Sequence, residues 1–434
     1  MKNSGIEWIG NIPDDWKLES LKGHLEEVKE SNDPVQTTQV LSLTNKLGVI
    51  PYEEKGEQGN KAKENYNEYK LAYPNTIVAN SMNILIGSVG RCNYFGCVSP
   101  VYYVFKPKNE NELKFLDYIF QSQPFQKELR RYAKGILEIR LRVSASDILR
   151  RQVAFPTIEK QKQITAFIDE KCGKIDELIA NQEKQIEKLK EYKQSVITEA
   201  VTKGLDKSAP LKDSGIEWIG EIPENYIICK IKHILDNSDF GIKCGPFGSA
   251  LTGKVVDNGS VLIYGQWNVV DGNFNKKRNT IAGKDFDDLS AYEVLPGDIL
   301  VSMMGTIGKC AIVPTDISRG IMDSHIIKIR LNNNVVLHKF FEYQYDKDNS
   351  FIVYEYFKRV KKGFIMDGLN TTLIKNAFFI LPSLYEQQQI VDYLDEKCGK
   401  IDRLIAIKQE KIEKLQEYKK SLIYEYVTGK KEVV

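Results

Sequence analysis

Several kinds of chemistry lack their residues in this chain. Only four histidines occur in 434 residues, and none has the spacing of a metal-ligand pair. Seven cysteines are present, none in a Cys-x-x-Cys pair, which points to reduced thiols rather than a disulfide framework. No two prolines are adjacent, so the Asn/Asp-Pro-Pro-Tyr tetrapeptide of adenine methyltransferases is absent. No apolar run approaches the roughly 18 residues that a membrane helix needs. Met1-Lys-Asn-Ser-Gly5 runs directly into Ile6-Glu-Trp8 without a secretory signal, so a cytoplasmic protein is expected. Net charge is only +2, which leaves its distribution as the informative quantity.

What the chain has is repetition. Ser4-Gly-Ile-Glu-Trp-Ile-Gly10 recurs unchanged as Ser214-Gly-Ile-Glu-Trp-Ile-Gly220, and Ile12-Pro13 recurs as Ile222-Pro223. Residues 156–202 align without gaps on 382–428, with 27 of 47 positions identical, including Asp169-Glu-Lys-Cys-Gly-Lys-Ile-Asp176 and its copy at 395–402. Between these boxes lie two blocks, about 19–154 and 229–380, which differ in sequence and in length. Near-identical segments imply one kind of partner met twice, and divergent blocks imply two different targets.

The later repeat has a helical seam. Ile175, Ile179, Gln182, Ile186, Leu189, Lys193, Val196 and Ala200 alternate steps of four and three, as do Ile401, Ile405, Lys408, Ile412, Leu415, Lys419, Leu422 and Tyr426. That stripe suits a coiled coil, and the two copies can pair with each other. Ser383-x-x-Glu386 has capping-box spacing, and Gly204 and Gly429 stand where helices would terminate. Gly173 and Gly399 could kink or divide the helices. Counted from Lys174 to Thr202, each helix proper would span about 43 Å.

The blocks mix strand-like runs with short helices. Gly87-Ser-Val-Gly-Arg91-Cys92 matches Gly305-Thr-Ile-Gly-Lys309-Cys310, each placing a cation after a glycine turn, and phosphate contact and a plain strand connection fit equally well. The second run is two residues too short for a nucleotide-binding loop. Residues 91–154 carry twelve Lys/Arg against six Asp/Glu. Candidate DNA contacts are therefore Arg91, Arg130, Arg131, Lys134, Arg140 and Arg142 in the first block. In the second they are Trp267, Asn268, Lys276, Lys277, Arg278, Lys309, Lys361 and Lys362. An acidic constellation at Asp14, Glu27 and Lys29 loosely fits a metal-dependent nuclease, but its copy fails at Glu224 and Asp236-Asn-Ser238. A coiled-coil adaptor that ignores DNA is a third reading, which leaves the two basic blocks without a purpose.

The duplicated boxes, the Pro-x(4)-Gln-x-Gln-Ile start of each helix (Pro156/Gln161, Pro382/Gln387) and the Lys/Leu/Glu/Tyr run at 188–193 and 414–419 resemble the specificity subunits of Type I restriction–modification enzymes. Gly245-Pro-Phe-Gly-Ser249 is similar to a further family element, which the first block lacks. The resemblance implies an α+β fold with a pseudo-twofold internal repeat: two mixed target recognition domains separated by two long helices pairing as an antiparallel coiled coil. It implies domains at 1–154 (first recognition domain), 155–204 (first spacer helix), 205–380 (linker, second box and second recognition domain) and 381–434 (second spacer helix). It also implies a non-catalytic chain that reads a split, asymmetric site on double-stranded DNA. Two methyltransferase subunits and the restriction/translocase subunits would dock on it, bringing S-adenosylmethionine, ATP and magnesium with them. The chain itself would hold no cofactor and touch no membrane.

Overall fold

The computed structural model describes residues 1–44, 48–55, 65–109, 112–135, 141–237, 241–247, 250–276, 279–304, 307–350, 352–360 and 368–433. Arg140, Lys277, Arg278, Lys361 and Lys362 lie outside the described residues. The chain divides into two compact units, Met1–Glu183 with Gln409–Val434, and Lys184–Lys408.

In the first unit four strands, β1 (Leu25–Val28), β2 (Thr76–Asn80), β3 (Val89–Cys92) and β4 (Tyr102–Pro107), form a sheet in the order β1-β4-β2-β3. Every pairing in it is antiparallel. Val78, Ala79, Val104 and Phe105 supply buried side chains on both faces, which suits a sheet covered on each side. Helices α1 (Leu113–Gln121) and α2 (Gln123–Arg130) follow, the second started by a proline in its first turn. The long helix α3 runs from Ile158 to Lys203.

The second unit repeats the plan. Among its strands are β5 (Ile242–Cys244), β6 (Val255–Val256), β7 (Val261–Tyr264), β8 (Asn279–Ile281), β9 (Ile299–Ser302), β10 (Cys310–Ile312), β11 (Gly320–Met322) and β12 (Ile326–Ile329). One sheet runs β5-β12-β9-β10, antiparallel throughout, the same order and sense as in the first unit. A second sheet, β6-β8-β7-β11, has no four-stranded counterpart among the described residues of the first unit. Helices α4 (His338–Tyr345), α5 (Ile352–Val360) and α6 (Leu384–Val427) follow.

Neither glycine in the repeat breaks its helix. Gly173 and Gly399 sit in uninterrupted α3 and α6, and a side chain at either would meet nothing within 4 Å. The segment from Lys174 is thus the later part of a helix about 69 Å long at 1.5 Å per residue. The capping box at the start of α6 forms as spaced: Glu386 N–H donates to Ser383 Oγ and Ser383 N–H donates to the Glu386 carboxylate. At the far ends Gly204 and Gly429 both take φ +69°, the left-handed turn that releases a helix. A Cβ at Gly429 would lie 2.4 Å from Pro13, and one at Gly204 would lie 2.6 Å from the Tyr226 hydroxyl. Each helix end therefore closes against a short box.

Within each unit α3 and α6 pair antiparallel. In the first, the Phe167 ring packs tilted against Tyr426, and Lys419 Nζ reaches both oxygens of Asp176 at 2.7 Å. In the second, Lys193 Nζ reaches both oxygens of Asp402 at 2.8 Å, and Lys408 bonds Gln185. Ile175, Ile186, Ile401, Ile412 and Leu422 are buried, while Ile179, Leu189, Val196, Ile405 and Leu415 are partly buried. Lys193 and Lys419 of the seam thus have carboxylate partners, both aspartates closing the repeated Asp-Glu-Lys-Cys-Gly-Lys-Ile-Asp box. All seven cysteines are free.

Candidate nucleic-acid interface

The short boxes and the long helices hold each sheet in place through the same contacts twice. Arg131, just after α2, bonds Glu7 of the first box at 2.5 Å. Arg359 on α5 bonds Glu217 of the second box at 2.9 Å and lies over Trp218. The Arg131 guanidinium holds the Glu7 carboxyl below its usual range. On the helix side, Tyr118 donates to Asp169 at 2.5 Å and Tyr343 donates to Asp395 at 2.6 Å. Burial opposes the charge on Asp169, but the Tyr118 hydroxyl and the Lys114 ammonium outweigh it and keep its pKa low.

These contacts leave one end of each sheet to the loops. In the first unit Val143 N–H donates to Ser81 O, just past β2, and residues 134 and 142 exchange backbone hydrogen bonds. The side chains of Arg130, Lys134 and Arg142 are exposed there, and Arg142 Nη2 lies 3.7 Å from Met82 Sδ. Ile86, on the loop between β2 and β3, is 69% exposed. Cations flanking an exposed apolar side chain can neutralise phosphates while the apolar group meets bases. In the second unit Leu369 N–H donates to Met303 O, just past β9, so the corresponding loops meet in the same way.

The other candidates are engaged elsewhere. Arg91 lies on β3, where its Nε pairs with Asp117 of α1 at 3.1 Å. Lys309 pairs with Asp346 at 3.3 Å and Asp348 at 2.6 Å. In this structure these two cations hold helix to sheet and helix end to hairpin. Asn268 is 0% exposed. Its oxygen accepts from Gly265 N–H, and its amide donates to the carbonyls of Asn273 and Lys276. It staples the turn around Gln266–Asp271 and presents nothing to a base. Trp267 is half-buried over Gly265, and Lys276 is exposed but paired with Asp271 at 2.8 Å. Arg131 is exposed and belongs to the box contact described above.

Among the described residues no group of three His, Cys, Asp or Glu could hold a metal ion. Asp14 pairs with the Met1 amino group at 2.9 Å, and Glu27 faces Lys29 along β1. Among the described residues no helix is long and apolar enough to cross a membrane. Sequence reading passed over Tyr118, Tyr343, Asp169 and Asp395. Their recurrence at nearly equal offsets was the available signal.

Comparison with known proteins agrees with this duplicated plan. Residues 253–417 match the family model described as Type I restriction modification DNA specificity domain. Two curated relatives come from Methanocaldococcus jannaschii. The Type I restriction enzyme MjaVIII specificity subunit is 26% identical over 303 residues, covering 64% of this chain and 62% of that one. The putative type I restriction enzyme MjaX specificity subunit is 24% identical over 458 residues, covering 97% and 95%. The first match thus spans less than two thirds of that relative's length. A chain solved in work on complex assembly and conformational transition of the type I R-M system superposes with a TM-score of 0.65 at 13% identity, covering 96% of this chain and 98% of that one. The repeated boxes, the paired helices and these matches converge: the chain is similar to the specificity subunits of Type I restriction–modification systems, and residues 253–417 match their DNA specificity domain.

Proposed function

We propose that this chain reads a split, asymmetric site on double-stranded DNA, one half with the loop-bearing sheet end of each unit, and that it catalyses nothing itself. The observation that carries this is the contrast within the duplication. Sheet order, box contacts and helix contacts recur, while the loops at the sheet ends differ in sequence and charge. The recurring parts offer two equivalent surfaces, which suits two copies of one methyltransferase subunit. Restriction/translocase subunits would join through them, and S-adenosylmethionine, ATP and magnesium would be held by those partners. A cytoplasmic location follows from such a role.

Mapping methylated adenines in a host that carries this chain with its partner subunits tests the reading. A single split motif that disappears when the chain is deleted is expected, and a continuous motif or none would refute it. Native mass of the co-purified complex should give two methyltransferase subunits per chain, and a stable one-to-one assembly at saturating partner would contradict the scaffold role.

A further inference from the structure

In the second unit five strand termini reach the same end. β5 and β9 run parallel to each other, each antiparallel to β12, and β7 runs parallel to β11. The loops leaving them are hydrogen-bonded together. Gly245 N–H donates to Ile326 O, Asp323 N–H to Tyr264 O and Met303 N–H to His325 O, while Gln266 Nε2 donates to Met304 O. Segments 245–247, 265–268, 303–304 and 323–325 therefore form one continuous edge, and none of their residues is lysine or arginine. This edge is the counterpart of the one that carries Lys134 and Arg142 in the first unit.

Phe247 stands on this edge at 76% exposure, above every other large apolar side chain described, with Met304 beside the same loops at 46%. Its backbone is held firmly. A Cβ at Gly245 would fall 1.9 Å from Asp323 O, so that strand end packs directly against the neighbouring loop. Pro246 fixes φ and is buried, and Ala250 N–H donates back to Phe247 O at 2.8 Å. A phenylalanine held in water beside a packed strand end gives up the burial that normally places this residue inside.

We propose that Phe247 is an apolar wedge that inserts at a base step of the second half-site. The proposal rests on the DNA-reading role above and adds to it a division of labour. The first unit holds its half-site partly through cations, while the described segments of this edge in the second unit offer an aromatic contact that displaces no counterions. Wedges of this kind unstack a base step and are insensitive to salt.

The test uses the chain assembled with its partner subunits and a pool of random-sequence duplexes. The wild-type complex should enrich one split motif, and a duplex bearing that motif is then the probe. Phe247→Ala should weaken binding to it by roughly 5- to 100-fold, with the salt slope unchanged, and relax positions in one half only. Phe247→Trp should retain the motif, and Phe247→Gln should lose it. The Trp and Gln pair decides the matter even if the alanine variant melts early, because both retaining the full motif and affinity overturns the proposal. A wild-type complex that enriches no split motif removes the DNA reading itself. A split motif that survives Phe247→Ala unchanged removes the wedge alone.

Discussion

The Tyr343 hydroxyl lies 2.6 Å from an Asp395 carboxylate oxygen, tying α4 to α6, and Tyr118 ties α1 to α3 at Asp169 in the same manner. Both phenols are held well above their usual pKa, first by burial and then by the carboxylate beside them. They remain neutral donors at any ordinary pH. Tyr118→Phe and Tyr343→Phe keep the ring and remove the donor, so each should cost about 1.5–3 kcal/mol, the range for hydrogen bonds to charged groups. Hydrogen exchange should speed up in α1 for the first variant and in α4 for the second, and unchanged protection in both would show that the bonds contribute nothing.

The seam ion pairs should be interchangeable. Lys193→Asp places two carboxylates at one level of the second unit, and adding Asp402→Lys restores opposite charges. The single reversal should lower the melting temperature and the double should recover it, with a coupling of about 1 kcal/mol or less because the pair is partly exposed. A double variant no better than the single would show that this pair does not couple.

Cations of the first unit separate by their partners. Lys134→Ala and Arg142→Ala should each reduce the salt dependence of DNA binding by about one unit of slope. Arg91→Ala should leave the slope alone and lower the stability of the first unit, since Arg91 is occupied by Asp117. Anisotropy titrations at several salt concentrations measure the slopes, and an equal fall in all three would return Arg91 to the interface.

Burial raises the Asp117 carboxyl to about 6, against the opposing pull of Arg91. A carboxyl whose pKa is higher folded than unfolded holds its proton more tightly in the folded state. That stabilisation is complete below about pH 4 and is lost as pH rises through about 6. Asp117→Asn does not titrate, so the variant should gain on the wild type by on the order of 1–3 kcal/mol between about pH 4 and pH 7. Denaturant midpoints across that range check it, and a difference independent of pH would mean the two pKa values coincide.

Length in the helices should become length on DNA. Seven residues added after Glu187 and after Glu413 keep the heptad phase and lengthen each helix by about 10.5 Å, or roughly three base pairs. Methylation sequencing of the doubly extended variant should show the longer gap. Four residues after Glu187 alone should break register and activity, and an active enzyme with an unaltered gap would show that α3 and α6 do not set the spacing.

The helices, their seam and their ends were legible because identity at one offset and a three-four stripe are local patterns. Sheet order was not, since β1 pairs with β4 across some eighty residues and each strand is short. The same distance hid the roles of Arg91 and Lys309. A cation after a glycine reads the same whether it meets phosphate or a carboxylate on a remote helix. Asn268 failed for the opposite reason, its turn being satisfied within eight residues. Phe247 could not be told from a core residue, because exposure is a property of the fold.

The division of the long helices also bears on synthesis. The second unit is one stretch, 184–408, and can close once that stretch has left the ribosome. The first unit cannot close then, because Leu422, Ile423 and Val427 form part of the same core as Ile164, Ile168 and Cys172. The part made first is thus finished last. While 184–408 is translated, the core around Ile164 and Ile168 lacks the part that Leu422, Ile423 and Val427 supply, and that interval is when a nascent chain is most exposed to chaperones and to aggregation.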